Sequence, residues 1–137
     1  MWVNSLTANT KTFKYNFKRK KKIGLFLNHG VIGLKALETK FVKFSELKAL
    51  DFFLKKNLKK KGKIFLNFVP NFASTKKPLE TRMGKGKGNF SEALSFINEG
   101  RVFLEINSDL NLTKLNKLLD QGKKKLSIKS KIITFKL

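Results

Sequence analysis

Leu47, Leu50, Leu54 and Leu58 recur at intervals of three and four, which places them on one face of a helix while Lys48, Asp51, Lys55 and Lys59 fall elsewhere. Ser45 is its expected N-cap. Glu46 and Asp51 lie toward the positive end of the helix dipole, and Lys59, Lys60 and Lys61 crowd the negative end before Gly62. The same period returns at Leu112, Leu115, Leu118 and Leu119, behind Ser108 or Asp109 as a cap. Gly122 stands near the expected end of this second helix, and Lys123, Lys124 and Lys125 follow it.

Shorter apolar runs predict strands. Residues 23–28 and 31–38 read as a hairpin turned at His29-Gly30, and residues 92–98 and 101–107 as a second hairpin around Glu99-Gly100. His29 is expected to be an exposed or locally bonded turn residue rather than an RNA contact. Residues 63–69 form a further strand that Pro70 stops by denying a ladder donor, and residues 128–135 close the chain. Residues 70–90 carry no hydrophobic periodicity and predict a long loop. The resulting order, β-β-α-β-loop-β-β-α-β, predicts an α+β domain: one mixed or antiparallel sheet with two helices packed on it.

Charge changes the picture. The 137 residues hold 31 Lys+Arg against 9 Asp+Glu, a net +22, and 41% hydrophobic residues with 14 Phe suffice for a core. Such self-repulsion favours life beside a polyanion, either nucleic acid or an anionic membrane. No acid precedes Glu38, and Lys11, Lys14, Lys18, Arg19, Lys20, Lys21 and Lys22 interleave with Phe13, Tyr15 and Phe17. Residues 1–22 therefore read as a basic N-terminal arm, with residues 23–137 as a single domain. With no cysteine and one histidine, disulfides, thiolate nucleophiles and zinc ribbons are excluded. Lysine interrupts every apolar run before it reaches the length of a membrane span.

Residues 82–88, Arg82-Met83-Gly84-Lys85-Gly86-Lys87-Gly88, combine three glycines with three cations. Glycine lets main-chain N–H groups approach an anion closely, and the interleaved charges neutralise phosphate. Neither the Walker A spacing nor G-x-G-x-x-G is met, since Asn89 stands where that pattern needs its third glycine, so nucleotide hydrolysis is disfavoured.

Preceded by Lys77-Pro78-Leu79-Glu80-Thr81, this run resembles the signature of the bacterial-type large-subunit ribosomal protein L-sixteen family. Similarity continues through Gly33-Leu34-Lys35-Ala36, Gly62-Lys63-Ile64, Gly100-Arg101-Val102 with Glu105, and Leu126-Ser127-Ile128-Lys129, over roughly residues 11–136. The resemblance implies a compact α+β domain and a structural, non-catalytic constituent of the large subunit. It implies large-subunit rRNA, neighbouring large-subunit proteins and the A- and P-site tRNAs as partners, with no cofactor. By motif position Arg82, Met83, Gly84, Lys85, Gly86, Lys87 and Gly88 would form a loop reaching toward the peptidyl transferase centre and the tRNAs, on a stem of Lys77 and Pro78. Expected rRNA contacts are the arm cations together with Lys35, Lys59, Lys60, Lys61, Lys76, Lys77, Lys123, Lys124 and Lys125. Lysine replaces the arginines usual in bacterial members at Lys11, Lys14, Lys18, Lys20, Lys48 and Lys55, and residues 1–10 have no assigned counterpart.

The basic residues are 28 Lys and only three Arg, a bias that reads as AT-rich coding. Together with the resemblance it predicts a mitochondrial, organelle-encoded member, with the cytoplasm of an AT-rich bacterium as the alternative; residues 1–11 show neither a secretory nor a transit pattern. Competing readings are an extra-ribosomal RNA-binding protein, a nuclease using Glu80, Glu92 or Glu105, and a membrane-surface protein using residues 45–61. The nuclease suffers from scattered carboxylates, and core packing explains Phe52 and Phe53 more simply than a membrane does.

Overall fold

In the computed structural model, which describes residues 24–70, 72–84 and 86–135, both leucine-striped helices form; the first stripe is buried whole, while in the second Leu118 is partly buried and Leu112 is exposed. Helix α1 (Phe44–Leu58) buries Leu47, Leu50, Leu54 and Leu58, and α2 (Leu112–Lys123) buries Leu115, Leu119 and Gly122. Each leucine removed from water contributes about 1.5–3 kcal/mol. The helices run in opposite directions, so that Gly122 meets Leu50 while Leu115 lies with Leu58 at the far end. A Cβ on Gly122 would come within 2.8 Å of Leu50 Cδ1, so the glycine sets the closeness of the helix pair.

Both caps differ from expectation. Lys43 occupies the N-cap of α1 without a side-chain bond, and the Ser45 hydroxyl donates to Glu92 Oε1 at 2.6 Å instead. In α2 the cap is Asn111, whose side chain accepts from Thr113 N–H at 3.3 Å, while Ser108 Oγ accepts from Leu110 N–H just ahead of the helix.

The strands are β1 (Ile32–Ala36), β2 (Lys40–Lys43), β3 (Gly62–Leu66), β4 (Phe72–Lys76), β5 (Asn89–Ile97), β6 (Val102–Ser108) and β7 (Ser130–Thr134). They make two antiparallel sheets rather than one, ordered β3-β6-β1-β7 and β2-β5-β4. α1 packs against α2 and against strands of both sheets, α2 packs on β1 and β7, and the core lies between these layers. At its centre Ile32, Leu34, Val42, Leu50, Leu54, Phe103, Leu104, Ile106 and Leu119 are wholly buried.

Neither predicted hairpin forms. Residues 24–28 are irregular, and Ile23 lies outside the described residues; the segment is held by Val102 N–H to Gly24 O at 2.7 Å and by a carboxylate described below, not by a strand ladder. β5 and β6 do not pair with each other. β6 pairs with β1 and β5 with β2, with Lys35 opposite Val102 and Lys40 opposite Ile97, so the four strands are one long antiparallel ribbon bent at residues 36–39 and 98–101. Glu99-Gly100 forms a corner in that ribbon: Gly100, at φ 81°, donates its N–H to Ala36 O at 2.8 Å, and Ala36 N–H donates to Arg101 O at 2.9 Å. Turn residues select a local backbone shape and do not select the strand's partner, which is why the corner has the sequence of a hairpin. The predicted loop 70–90 likewise contains β4, whose Phe72–Lys76 run combines intermediate burial with small polar residues and so lacks a clean alternation.

Candidate nucleic-acid interface

β4 and β5 are the hairpin that bears the glycine–lysine loop. Their register runs out to Lys76 opposite Asn89, and residues 77–88 close the end. At the neck a Cβ on Gly88 would stand 2.6 Å from the Lys76 carbonyl carbon, so only glycine lets the two chains come this close. Thr81 N–H donates to Pro78 O at 3.2 Å, and the Lys77 ammonium donates to Gly84 O. Lys77 thus folds the loop internally. Gly84 and Gly86, at φ 100° and 86°, turn the chain where other residues are strained, and a Cβ on either would meet no atom within 4 Å. Arg82, Met83 and Lys87 are exposed, as is Leu79; Met83 and Leu79 are bare to solvent at relative exposures of 102% and 96%. Lys85 lies outside the described residues.

The other expected contacts are dispersed. Lys59, Lys60 and Lys61 are exposed at the end of α1, where Lys59 and Lys60 both take left-handed backbone at φ 45° and 66°. Lys123 pairs with Asp120, Lys125 Nζ lies 5.0 Å from the Phe53 ring centroid, and Lys124 is exposed. Because the helices are antiparallel, these two clusters end up at opposite ends of the pair. Lys76 is exposed at the base of the loop. Lys35 is half-buried with Nζ donating to Leu25 O at 3.2 Å, and so holds a neighbouring segment as well as carrying charge. The arm cations Lys11, Lys14, Lys18, Arg19, Lys20, Lys21 and Lys22 lie outside the described residues.

Most of the carboxylates are occupied in folding. Glu105 is wholly buried on β6, and its Oε2 accepts from the N–H groups of Asn28, His29 and Gly30 at 3.0, 2.7 and 2.9 Å, while Oε1 accepts from Asn67 Nδ2 at 2.5 Å. Burial pushes its pKa up, but the His29, Gly30 and Asn28 amides and the Asn67 side chain together outweigh that and hold it below the ordinary carboxylate value. The exposed His29 stacks its ring 5.3 Å from that of Phe65. Arg101 extends the network by donating to Asn67 O at 2.6 Å. Glu92 is likewise held low, by the Ser45 hydroxyl and then by Lys43, and Glu80 is exposed on the loop. Glu46 and Glu38 accept from Ser127 and Lys129 N–H groups at 2.9 and 3.0 Å, tying the chain after α2 to α1 and to the bend between β1 and β2. Among the described residues no three metal-ligating side chains gather, and no helix is long and apolar enough to cross a membrane.

Nothing local in the sequence marks Asn67; Arg101 is one of three arginines kept in a lysine-dominated chain, where the forked side chain suggests a geometric role over an ordinary surface one, and here it bonds a backbone carbonyl. Phe53 packs against the core as expected, but Phe52 does not: it is 72% exposed.

Fold and surface together define a basic α+β scaffold domain, its buried carboxylate used to join segments and its cations displayed outward in several directions around one glycine-rich loop. The chain matches the family model of ribosomal protein L16p/L10e over residues 5–133, and it belongs to that family. It is 33% identical over 130 residues to the large ribosomal subunit protein uL16 of Hyphomonas neptunium, covering 93% of this chain and 91% of the relative. Against the uL16 of Fervidobacterium nodosum identity is 35% over 113 residues, 82% and 79% of the two chains. Against that of onion yellows phytoplasma it is 31% over 128 residues, 93% and 91%. The family is one of structural ribosomal components, not enzymes.

Proposed function

We propose that this chain is a structural constituent of the large ribosomal subunit that binds large-subunit rRNA and extends residues 77–88 toward the peptidyl transferase centre and the A- and P-site tRNAs. The observation that carries this reading is the β4–β5 hairpin itself: a rigid neck at Gly88 and an internally tied stem present Arg82, Met83 and Lys87 to the outside. An exposed cation and backbone N–H groups at turning glycines suit a phosphate backbone, fixing placement without reading sequence. The arm of residues 1–22, Lys59, Lys60 and Lys61, Lys76, and Lys123, Lys124 and Lys125 hold rRNA by phosphate neutralisation around the domain of residues 23–137. Cations facing several directions suit a protein surrounded by RNA helices rather than one bound to a single flat surface. The lysine-heavy coding bias supports placement in a mitochondrial ribosome, with an AT-rich bacterium as the other source.

The test is sedimentation of native lysate through a sucrose gradient with and without ribonuclease, following this chain by mass spectrometry. Co-migration with large subunits that collapses after digestion is the expected result. A small free species in both samples would overturn the ribosomal reading, and fractionation of intact organelles decides the compartment.

A further inference from the structure

Helix α1 carries three phenylalanines, and two of them are covered. Phe44 has the Lys48 ammonium 4.8 Å from its ring centroid; Phe53 packs against the core beneath the Lys125 ammonium. Phe52 has no ring or ammonium partner among the described residues and is 72% exposed. Exposing so large an apolar ring on a chain of net +22 forgoes burial that the neighbouring Phe53 obtains in part.

The surroundings of Phe52 on the helix surface follow from its spacing. Three residues earlier stands the exposed Ala49, too small to cover the ring, and four residues later stands the exposed Lys56; the exposed Lys59 lies just past the end of the helix, where the backbone turns left-handed. Lys55 is held by Asp51 at 2.6 Å, and Lys48 turns to Phe44, so neither screens it. A bare aromatic ring with ammonium groups a turn or two beyond it is the arrangement by which single-stranded nucleic acid is held: a base on the ring, phosphates on the lysines. Duplex RNA offers no such partner, because its base faces are stacked. A membrane surface fits poorly, since an interfacial helix needs a broad apolar stripe and the leucine stripe of α1 is already buried in the core.

We propose that the outer face of α1 is a stacking site for an unpaired nucleotide of large-subunit rRNA, with Phe52 as the platform and Lys56 and Lys59 as the phosphate contacts. This rests on the rRNA reading above, and sharpens it from general charge neutralisation to one residue and one kind of RNA.

Binding of the full chain is measured with three probes: a short single-stranded RNA, a duplex RNA of equal length, and anionic phospholipid vesicles. Phe52→Ala is expected to weaken single-strand binding about five- to a hundredfold, the span for removing a base-stacking aromatic, and to leave duplex binding unchanged. The dependence of log Kd on log salt keeps its slope, because no cation is removed. Phe52→Trp, in a Trp2→Phe background that leaves one indole, retains affinity, and its emission falls when the single strand is added. Wild-type affinity of Phe52→Ala for the single strand, equal losses on single strand and duplex, or an indole that responds to vesicles and not to RNA would each overturn the stacking site alone. Failure of the wild-type chain to bind either RNA would instead overturn the rRNA reading along with it.

Discussion

Two segments of this molecule bring glycine-containing backbone and charge together, and they differ in whether the fold itself supplies the acceptor. At residues 28–30 three successive N–H groups converge on the buried Glu105 carboxylate, 2.7–3.0 Å away, and the chain supplies both halves of the interaction. At residues 82–88 the glycines turn an exposed chain decorated with Arg82 and Lys87, and the chain's own nearby acid, Glu80, is exposed. The first arrangement is a fastener, binding the segment next to the basic arm onto the central strand β6. In the function proposed above, the second turns the same kind of donor outward. The difference teaches that a run of donors gains a role from the location of its acceptor: buried and internal it stabilises the fold, exposed it is available to an external polyanion.

The sharpest break of this comparison is at Glu105. Glu105→Ala leaves three part-buried N–H groups and the Asn67 amide without their acceptor, at roughly 1–3 kcal/mol each before water relaxes part of the loss, so a net destabilisation of about 3–5 kcal/mol is expected in urea unfolding. Glu105→Gln keeps the shape but not the charge, and is expected to cost about 1–2 kcal/mol. An unchanged unfolding midpoint in both variants would show that the fastener contributes nothing.

Acid sharpens the same point. The folded pKa of Glu105 lies below its unfolded value, so its contribution is fully present above the ordinary carboxylate pKa of about 4.3 and is lost as pH falls through the folded value. Glu92 is shifted the same way at a more exposed position and adds little. The stability gap between wild type and Glu105→Gln should therefore narrow as pH is lowered from neutrality to about 3. A gap constant over that range would mean that charge is not what the N–H groups hold.

Smaller effects belong to the loop. Gly88→Ala drives a Cβ to 2.6 Å from backbone at the neck, which must shift, and about 1–3 kcal/mol is expected, read by urea unfolding together with amide exchange at Asn89 and Phe90. Arg82→Ala should change stability by less than about 0.5 kcal/mol, since the side chain is exposed, while weakening tRNA accommodation more than rRNA attachment. Equal loss of both activities would remove the division of labour between loop and domain.

The sequence by itself determined the elements whose information is local. The two helices were legible because a leucine stripe at three- and four-residue spacing serves any apolar partner, and the loop signature was legible because glycines and cations in that order report backbone shape and charge directly. The class α+β and the bulk of the strand positions followed from the same periodicities, which left open whether the sheet was mixed or antiparallel. Tertiary structure alone decided which strand meets which. The Glu99-Gly100 turn has hairpin chemistry, yet the chain there bends from one sheet into the other, because pairing with β1 and β2 aligns residues about 60 positions away that no local pattern encodes. Ser45 has the chemistry of a cap and instead bonds Glu92, brought beside it by β5. Glu105, one acid among nine, became the anchor of residues 28–30 only because β6 runs through the middle of its sheet, where a carboxylate is stable solely if every donor around it is already in place.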